Sequence, residues 1–182
     1  MSSTSSLAAT ASLVGDPARA NMLAALLDGR ALTATELAGT AGRRRAPAVV
    51  GPRDPALRRA RTCYDHLAGA LAVAIADRMV ASGHVEFSPD GGALTDDGQK
   101  FLTGLGLDLG AARARGGRVF CRPCLDWSER RPHIAGAVGA ALCRTCFARH
   151  WVRRIDATRA VAVTPAGQIA LGRAFGLRAE AA

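Results

Sequence analysis

Residues 120–151 read FCRPCLDWSERRPHIAGAVGAALCRTCFARHW and carry the strongest signal for the fold. The segment contains four of the five cysteines and both tryptophans. Its second part, HIAGAVGAALCRTCFARHWV from His133, matches HLAGALAVAIADRMVASGHV from His66. Internal similarity of this kind indicates duplicated structural modules. The sequence therefore predicts a tandem repeat in the C-terminal half of the chain.

Both copies of this helical segment continue in the same way. Short β-like stretches follow, and then the similar sequences LTDDGQKFL and VTPAGQIAL. In these, Thr95 and Thr164 are N-cap candidates, and Pro165 fits the first position of a helix. A helix, a hairpin and a capped second helix is the order of a winged-helix module. We therefore predict a mainly α fold with short β-hairpins and winged-helix-like repeats; the alternative is a duplicated element of structural value only.

The N-terminal part of the chain has its own helix signals. Residues 13–38 read LVGDPARANMLAALLDGRALTATELA. Asp16 can cap a helix that starts at Pro17, and Thr33 with Glu36 forms a capping box. This stretch resembles the entry to the winged-helix domain of ArsR/SmtB-type repressors, where a GDPxR helix start packs against an ELA turn. The resemblance covers about residues 7–42 and implies that the second helix begins a helix-turn-helix.

The chain departs from that family pattern after residue 42. Residues 43–55 are rich in Arg, Pro and Gly, so the expected recognition helix and wing are missing at this point. The predicted organisation is partial ArsR-like helices in 1–42, a linker in 43–55, and repeats in 56–110 and 111–182. The second repeat contains the cysteine-rich segment.

A second resemblance covers the C-terminal half. RTCYDHLAG from Arg61 and CRPCLDWSERRPHIAGAVG from Cys121 are similar to motifs in the C-terminal region of a metal-responsive branch of ArsR-like regulators. Together the two resemblances cover nearly the whole chain except the linker. They imply a dimeric repressor that binds a double-stranded DNA operator.

The charge balance agrees with a nucleic-acid partner. The 182 residues include 24 Lys and Arg against 15 Asp and Glu, for a net charge of +9. Arginine binds phosphate through a planar fork of donors. The candidate DNA contacts are the arginines around the linker, namely Arg43, Arg44, Arg45, Arg58 and Arg59. The alternative for this run is a solvated, flexible link.

The cysteines indicate a metal or redox site. The chain shows no secretory signal and no membrane segment, so we expect a cytoplasmic protein with reduced thiols. Cys121 and Cys124 form one C-x-x-C pair, and Cys143 and Cys146 form another, which is a typical zinc spacing. Because Cys143 and Cys146 fall inside the repeated helix, they are the alternative ligands.

The preferred metal site combines both repeats. Its predicted ligands lie at the two helix entrances or in the turn before them, namely Cys63, His66, Cys121, Cys124 and His133. Neighbouring arginines are expected to lower the pKa of the Cys121 and Cys124 thiols. Such a donor set suits Zn(II), Cd(II) or another soft divalent ion. The alternative is a buried Cys63 with a redox-active or structural Cys121–Cys124 pair.

No Walker loop, dinucleotide fingerprint or nucleophile elbow occurs in the chain, so we do not expect an enzyme. The predicted function is a homodimeric DNA-binding repressor that responds to a metal ion or to thiol oxidation. The alternative is a truncated dimerisation or metal-binding module that does not bind DNA.

Overall fold

A computed structural model describes residues 12, 15–27, 32–42, 52–88, 91–114 and 119–177. The chain divides into two compact units, Met1–Val50 and Gly51–Ala182. The described residues form eight helices and four two-stranded antiparallel hairpins. This content agrees with the predicted helices and short hairpins.

The N-terminal unit contains helices α1 (Pro17–Leu27) and α2 (Ala34–Ala41). The Asp16 carboxylate accepts a hydrogen bond from a first-turn amide of α1 at 3.0 Å. Thr33 and Glu36 form a reciprocal capping box at the start of α2. Both predicted helix starts are therefore confirmed. The predicted linker arginines at positions 43–45 lie outside the described residues, as does the rest of 43–51.

The C-terminal unit begins with one short helix. Two halves follow, each with the order hairpin, helix, hairpin, helix, and a further helix lies between them. The elements are α3 (Pro55–Arg59), β1 (Arg61–Cys63), β2 (His66–Ala68), α4 (Ala70–Ala81), β3 (Val85–Ser88), β4 (Gly91–Leu94), α5 (Asp96–Gly104), α6 (Leu109–Ala114), β5 (Arg122–Leu125), β6 (Pro132–Ala135), α7 (Gly136–Ala148), β7 (Val152–Arg154), β8 (Val161–Val163) and α8 (Pro165–Phe175). Each odd-numbered strand pairs with the strand that follows it.

The last helix of each half begins with the same cap. The Thr95 hydroxyl accepts a hydrogen bond from the amide of Gly98 at 3.1 Å, and Thr164 accepts one from Gly167 at 3.0 Å. Both threonine hydroxyls also donate to backbone carbonyls next to the preceding hairpin. The two predicted N-caps are confirmed. Each cap therefore joins a helix to the hairpin before it.

Replacing Thr164 with alanine should destabilise the protein by about 1 kcal/mol, because the first turn of α8 loses its cap. Urea unfolding of the two proteins measures this difference. Thr103→Ala is the control, since Thr103 is an exposed residue inside α5 and its removal should leave the midpoint almost unchanged. Equal effects of the two substitutions would contradict the capping role.

Helices α4 and α7 form the centre of the hydrophobic core. Nine of the thirteen residues of α7 and five of the twelve residues of α4 are buried. The exposed positions of α7 are Arg144 and Ala148. A recognition helix has to present one face to a DNA groove, which α7 does not do, whereas α4 keeps exposed positions at Arg78, Val80 and Ala81. No helix in the described part of the chain has the length and apolar character that crossing a bilayer requires.

The structure corrects the predicted helix entrances. Cys63 and His66 lie in the β1–β2 hairpin, and Cys124 and His133 lie in the β5–β6 hairpin. The strands have only three or four residues, too few for a recognisable alternation of polar and apolar positions. The sequence pattern therefore merged each second strand with the helix that follows it.

Candidate metal centre

Four of the five predicted ligands lie together. The side chains of Cys63, His66, Cys124 and His133 each offer a ligand atom, and these atoms all lie within 4.8 Å of one another. The Nε2 atoms of the two histidines are 3.1 Å apart. In a tetrahedral zinc site the ligand atoms are separated by roughly 3.3 to 3.8 Å. The cluster could therefore hold one metal ion with small adjustments.

Each hairpin supplies one cysteine and one histidine. Cys63 pairs with His66 across β1 and β2, and Cys124 pairs with His133 across β5 and β6. Side chains of directly paired residues project from the same face of a hairpin with close Cβ atoms. The two hairpins thus present matching Cys/His pairs, and the cluster lies where the two pairs meet.

Two glycines fix the way each hairpin leads into its core helix. Gly69 has φ +87° and Gly136 has φ +79°, a region that favours glycine. A Cβ atom on Gly69 would lie 2.7 Å from the Arg58 carbonyl oxygen, and one on Gly136 would lie 2.6 Å from that of Val119. Only glycine fits this close approach, so each Cys/His pair is held at a defined position above α4 or α7.

Both imidazole rings have a carboxylate beside Nδ1. The Nδ1 atom of His66 lies 3.4 Å from Asp65 Oδ1, and that of His133 lies 3.6 Å from Asp126 Oδ2. The His133 Nδ1 atom is buried and has no hydrogen-bond partner among the described residues. A carboxylate at this position favours the tautomer with its proton on Nδ1, which leaves Nε2 free to bind a metal. With these tautomers, both facing Nε2 atoms could bind a metal ion.

Asp126 is fully buried and holds the two hairpins together. Its carboxylate accepts bonds from Arg61 at 2.8 and 2.9 Å, from the Gly69 amide at 2.7 Å and from the Ser128 hydroxyl at 2.7 Å. The amides of Ser128 and Glu129 donate two more. Burial alone would raise the pKa of Asp126, but these hydrogen bonds outweigh it and hold the pKa well below its usual range. The carboxylate is thus charged and fixed in place.

The two clustered thiols are electrostatically linked. Hydrogen bonding from Cys124, His133 and His66 lowers the pKa of the Cys63 thiol well below its usual range. The same contact with Cys63, together with burial, raises the pKa of Cys124. Metal binding would release protons from these thiols, because cysteine binds metals as the thiolate.

The other three cysteines lie in the hydrophobic core. Burial raises the pKa of Cys121 and Cys143 to about 11 and that of Cys146 to about 12. The expectation that neighbouring arginines lower the pKa of Cys121 is wrong, because its buried side chain belongs to the core. For Cys124, Arg122 acts in the expected direction, but its effect is smaller than that of Cys63.

The predicted DNA contacts are only partly described. Arg43, Arg44 and Arg45 lie outside the described residues. Arg58 is half-buried in α3 and donates from Nε to the Pro52 carbonyl at 2.7 Å, and Arg59 is exposed at the end of the same helix.

Sequence reasoning missed the Arg61–Asp126 pair. The signal was present as a repeated motif, because Arg61-Thr-Cys63-Tyr-Asp65 and Arg122-Pro-Cys124-Leu-Asp126 share the pattern R-x-C-x-D.

The chain is 42% identical over 111 residues to the uncharacterized HTH-type transcriptional regulator YdfF of Bacillus subtilis (strain 168). The match covers 61% of this chain and 49% of that protein, so the chain matches about half the length of this curated relative. No family model matches the chain. No solved structure matches it either. Over most of its own length, the chain is thus similar to a protein named as a transcriptional regulator.

Proposed function

We propose that this protein is a DNA-binding transcription regulator of the repressor type whose C-terminal unit responds to a divalent metal ion. The observation that carries the metal response is the cluster of Cys63, His66, Cys124 and His133, with its facing Nε2 atoms. The name of the similar protein supports the regulator. We further propose that the protein is a homodimer of ArsR/SmtB type that acts in the cytoplasm, where its thiols stay reduced.

The donor set selects the class of metal. Two thiolates and two neutral imidazoles balance the charge of a divalent ion and suit Zn(II) or Cd(II). Mg(II) and Ca(II) prefer oxygen ligands, which this cluster lacks among the described residues. Thiol oxidation is the second signal that Cys63 and Cys124 could report, since their sulfur atoms lie within 4.8 Å.

We propose that the halves of the C-terminal unit are winged-helix-like repeats in which a hairpin, rather than a helix, meets the DNA. The matching element order and the matching threonine caps support a duplication. Because α7 is mostly buried, the exposed β7–β8 hairpin is the better DNA contact in this half. It carries exposed Arg153, Arg154 and Arg159, whereas the corresponding β3–β4 hairpin carries Glu86. Arginines of this kind bind backbone phosphates.

The same hairpin is bonded to the strand that carries Cys63. The amide of Thr62 donates to the Arg159 carbonyl at 2.9 Å, and the amide of Val161 donates to the Ala60 carbonyl at 3.0 Å. A change in the position of β1 on metal binding would therefore be passed to the basic hairpin. A metal ion can alter DNA affinity only if it binds two conformations with different affinity.

A mobility-shift titration tests this proposal on the full chain. DNA upstream of the protein's own gene serves as the probe, with and without Zn(II) or Cd(II), under reducing conditions. We expect specific binding whose affinity changes by about tenfold or more on metal addition, a coupling of about 1.4 kcal/mol. The Cys63→Ser variant should bind the same DNA without a metal effect. Absence of any specific binding would refute the regulator, and binding that ignores metal would refute the sensor.

Replacing Arg153, Arg154 and Arg159 together with glutamine should weaken DNA binding and make it less sensitive to salt. If each arginine contacts one phosphate, the slope of log K against log salt should fall in magnitude by about 3. The control changes the same charge elsewhere, as Lys100→Gln, Arg113→Gln and Arg173→Gln. These three residues are also exposed. Equal losses in the two triple variants would mean that the β7–β8 hairpin is not the contact surface.

A second candidate function is a metal-binding dimerisation module that does not bind DNA. The burial of α7 favours this alternative, because that helix offers no face to a groove. The mobility shift separates the two: metal binding without specific DNA binding would support the module.

A further inference from the structure

One side of the metal cluster is closed by a buried ion pair. Asp126 comes from the β5–β6 connection, and it bonds Arg61 and the Gly69 amide, which belong to the other hairpin and its end. Both side chains are almost completely buried, with 2% of Arg61 and none of Asp126 exposed. The Asp126 carboxylate thus fills a site formed by Arg61 and by Gly69, the glycine that precedes α4.

The strand registers identify the residues at the β5–β6 hairpin that correspond to Arg61, Gly69 and Asp126. Arg61 pairs with Ala68 as Arg122 pairs with Ala135, so Arg122 is the counterpart of Arg61. Gly136 follows Ala135 as Gly69 follows Ala68, and both have a positive φ. Asp65 is the counterpart of Asp126 in the R-x-C-x-D motif.

At this second position a cavity lies beside Arg122 and Gly136, and the counterpart carboxylate of Asp65 is partly exposed. The cavity measures about 390 Å³ and is lined by Tyr64, Asp65, His66, Arg122 and Gly136. The positions of Asp65 and Asp126 differ because two residues join β1 to β2, whereas six join β5 to β6. The short turn holds the Asp65 carboxylate 3.4 Å from the adjacent His66 ring, with 43% of the Asp65 side chain exposed.

We propose that this cavity binds a small carboxylate ligand, which Arg122 receives as Arg61 receives Asp126. Arg122 is exposed and lines the cavity, and an arginine pairs with a carboxylate through two parallel hydrogen bonds. Because Asp65 lies against His66, the ligand carboxylate approaches from the side of Arg122 and Gly136. The volume lies within the range of small-molecule pockets.

The rim of the cavity favours a ligand with an aromatic part. Tyr64 is 95% exposed and has φ +54°, an uncommon conformation for a tyrosine. Because its side chain is exposed, the ring is free to stack on an aromatic group. The ligand would lie next to His66, so it would adjoin the metal cluster. Ligand binding at this cavity would not require bound DNA.

Benzoate is the test probe, and benzyl alcohol is its neutral match. The full chain, loaded with Zn(II), is titrated with each compound at constant ionic strength in chloride, and binding is followed by NMR chemical shifts. We expect saturable benzoate binding that is at least about tenfold tighter than that of benzyl alcohol. Arg122→Gln should weaken benzoate binding by about tenfold, while Arg153→Gln should leave it unchanged.

Several results would overturn the proposal. These are benzoate binding that Arg122→Gln does not change, benzyl alcohol binding equal to that of benzoate, and the absence of saturable benzoate binding. Saturable binding of inorganic phosphate without benzoate binding would show that the ligand class is wrong. An unchanged unfolding midpoint of Arg122→Gln establishes that the variant is folded. Tyr64→Ala provides a second readout, since it should reduce the preference for benzoate over acetate.

Discussion

Cys63→Ser and Cys124→Ser should each lower the affinity of the protein for Zn(II) by at least about a hundredfold, because each removes one of four ligands that together contribute about 10 to 16 kcal/mol in comparable structural sites. A serine hydroxyl remains protonated and cannot replace a thiolate ligand. Competition with a chromophoric chelator measures the affinity. The thiolate-to-metal absorption of the Cd(II) complex should fall in both variants.

Cys121→Ala and Cys143→Ala are the matched controls for this experiment. Both remove a thiol from the same unit, but both thiols lie in the hydrophobic core outside the cluster. They should bind one metal ion per chain with little change in affinity, although the core loses a small side chain. Loss of metal binding in a control, with retention in Cys63→Ser, would place the metal elsewhere.

Asp126→Ala should lower the free energy of unfolding by about 3 to 5 kcal/mol, because it leaves the charge of Arg61 buried without its partner. The Gly69 amide also loses its acceptor. The metal affinity should fall by roughly ten- to a hundredfold as well, since the carboxylate beside His133 orients a ligand. Urea unfolding of the metal-free protein measures the first effect separately from the second.

A double variant separates the effect of leaving Arg61 without a partner from the effect of losing the Asp126 carboxylate. Arg61→Met combined with Asp126→Leu removes both charges and should recover much of the stability lost in Asp126→Ala. The metal affinity should stay reduced, because the neighbour of His133 is still absent. A single Asp126→Ala variant as stable as the parent would mean that the ion pair does not hold the hairpins together.

Helix starts could be predicted from the sequence because their signals are local. Thr33, Thr95 and Thr164 each cap a helix through an amide three residues later, so the capping residue and its partner lie in one short segment. The hairpins that carry the cluster were not predicted, because each strand is too short to show an alternation of polar and apolar residues. Gly69 and Gly136, which end the second strands, were the available break signals.

The candidate metal ligands could be predicted as residue types but not as a set. Spacing alone made Cys121 and Cys124 equivalent, yet Cys121 belongs to the core and Cys124 to the cluster. Which of two nearby thiols faces the centre depends on how the two hairpins pack, and that packing is a long-range property. Arg61 and Asp126 were missed for the same reason, because they are far apart in the chain.

The two ligand pairs lie far apart in the chain. Cys63 and His66 are joined by a two-residue turn, whereas Cys124 lies on a separate hairpin, with three helices and one hairpin between the two. An ion bound by both hairpins would close a loop of roughly 60 residues, and such a cross-link reduces the entropy of the unfolded chain by an amount worth about 4 kcal/mol. Either pair could hold an ion on its own hairpin, but the cross-link forms only once the intervening elements have brought the two hairpins together. The ion would therefore complete the folding of this unit as well as signal through it.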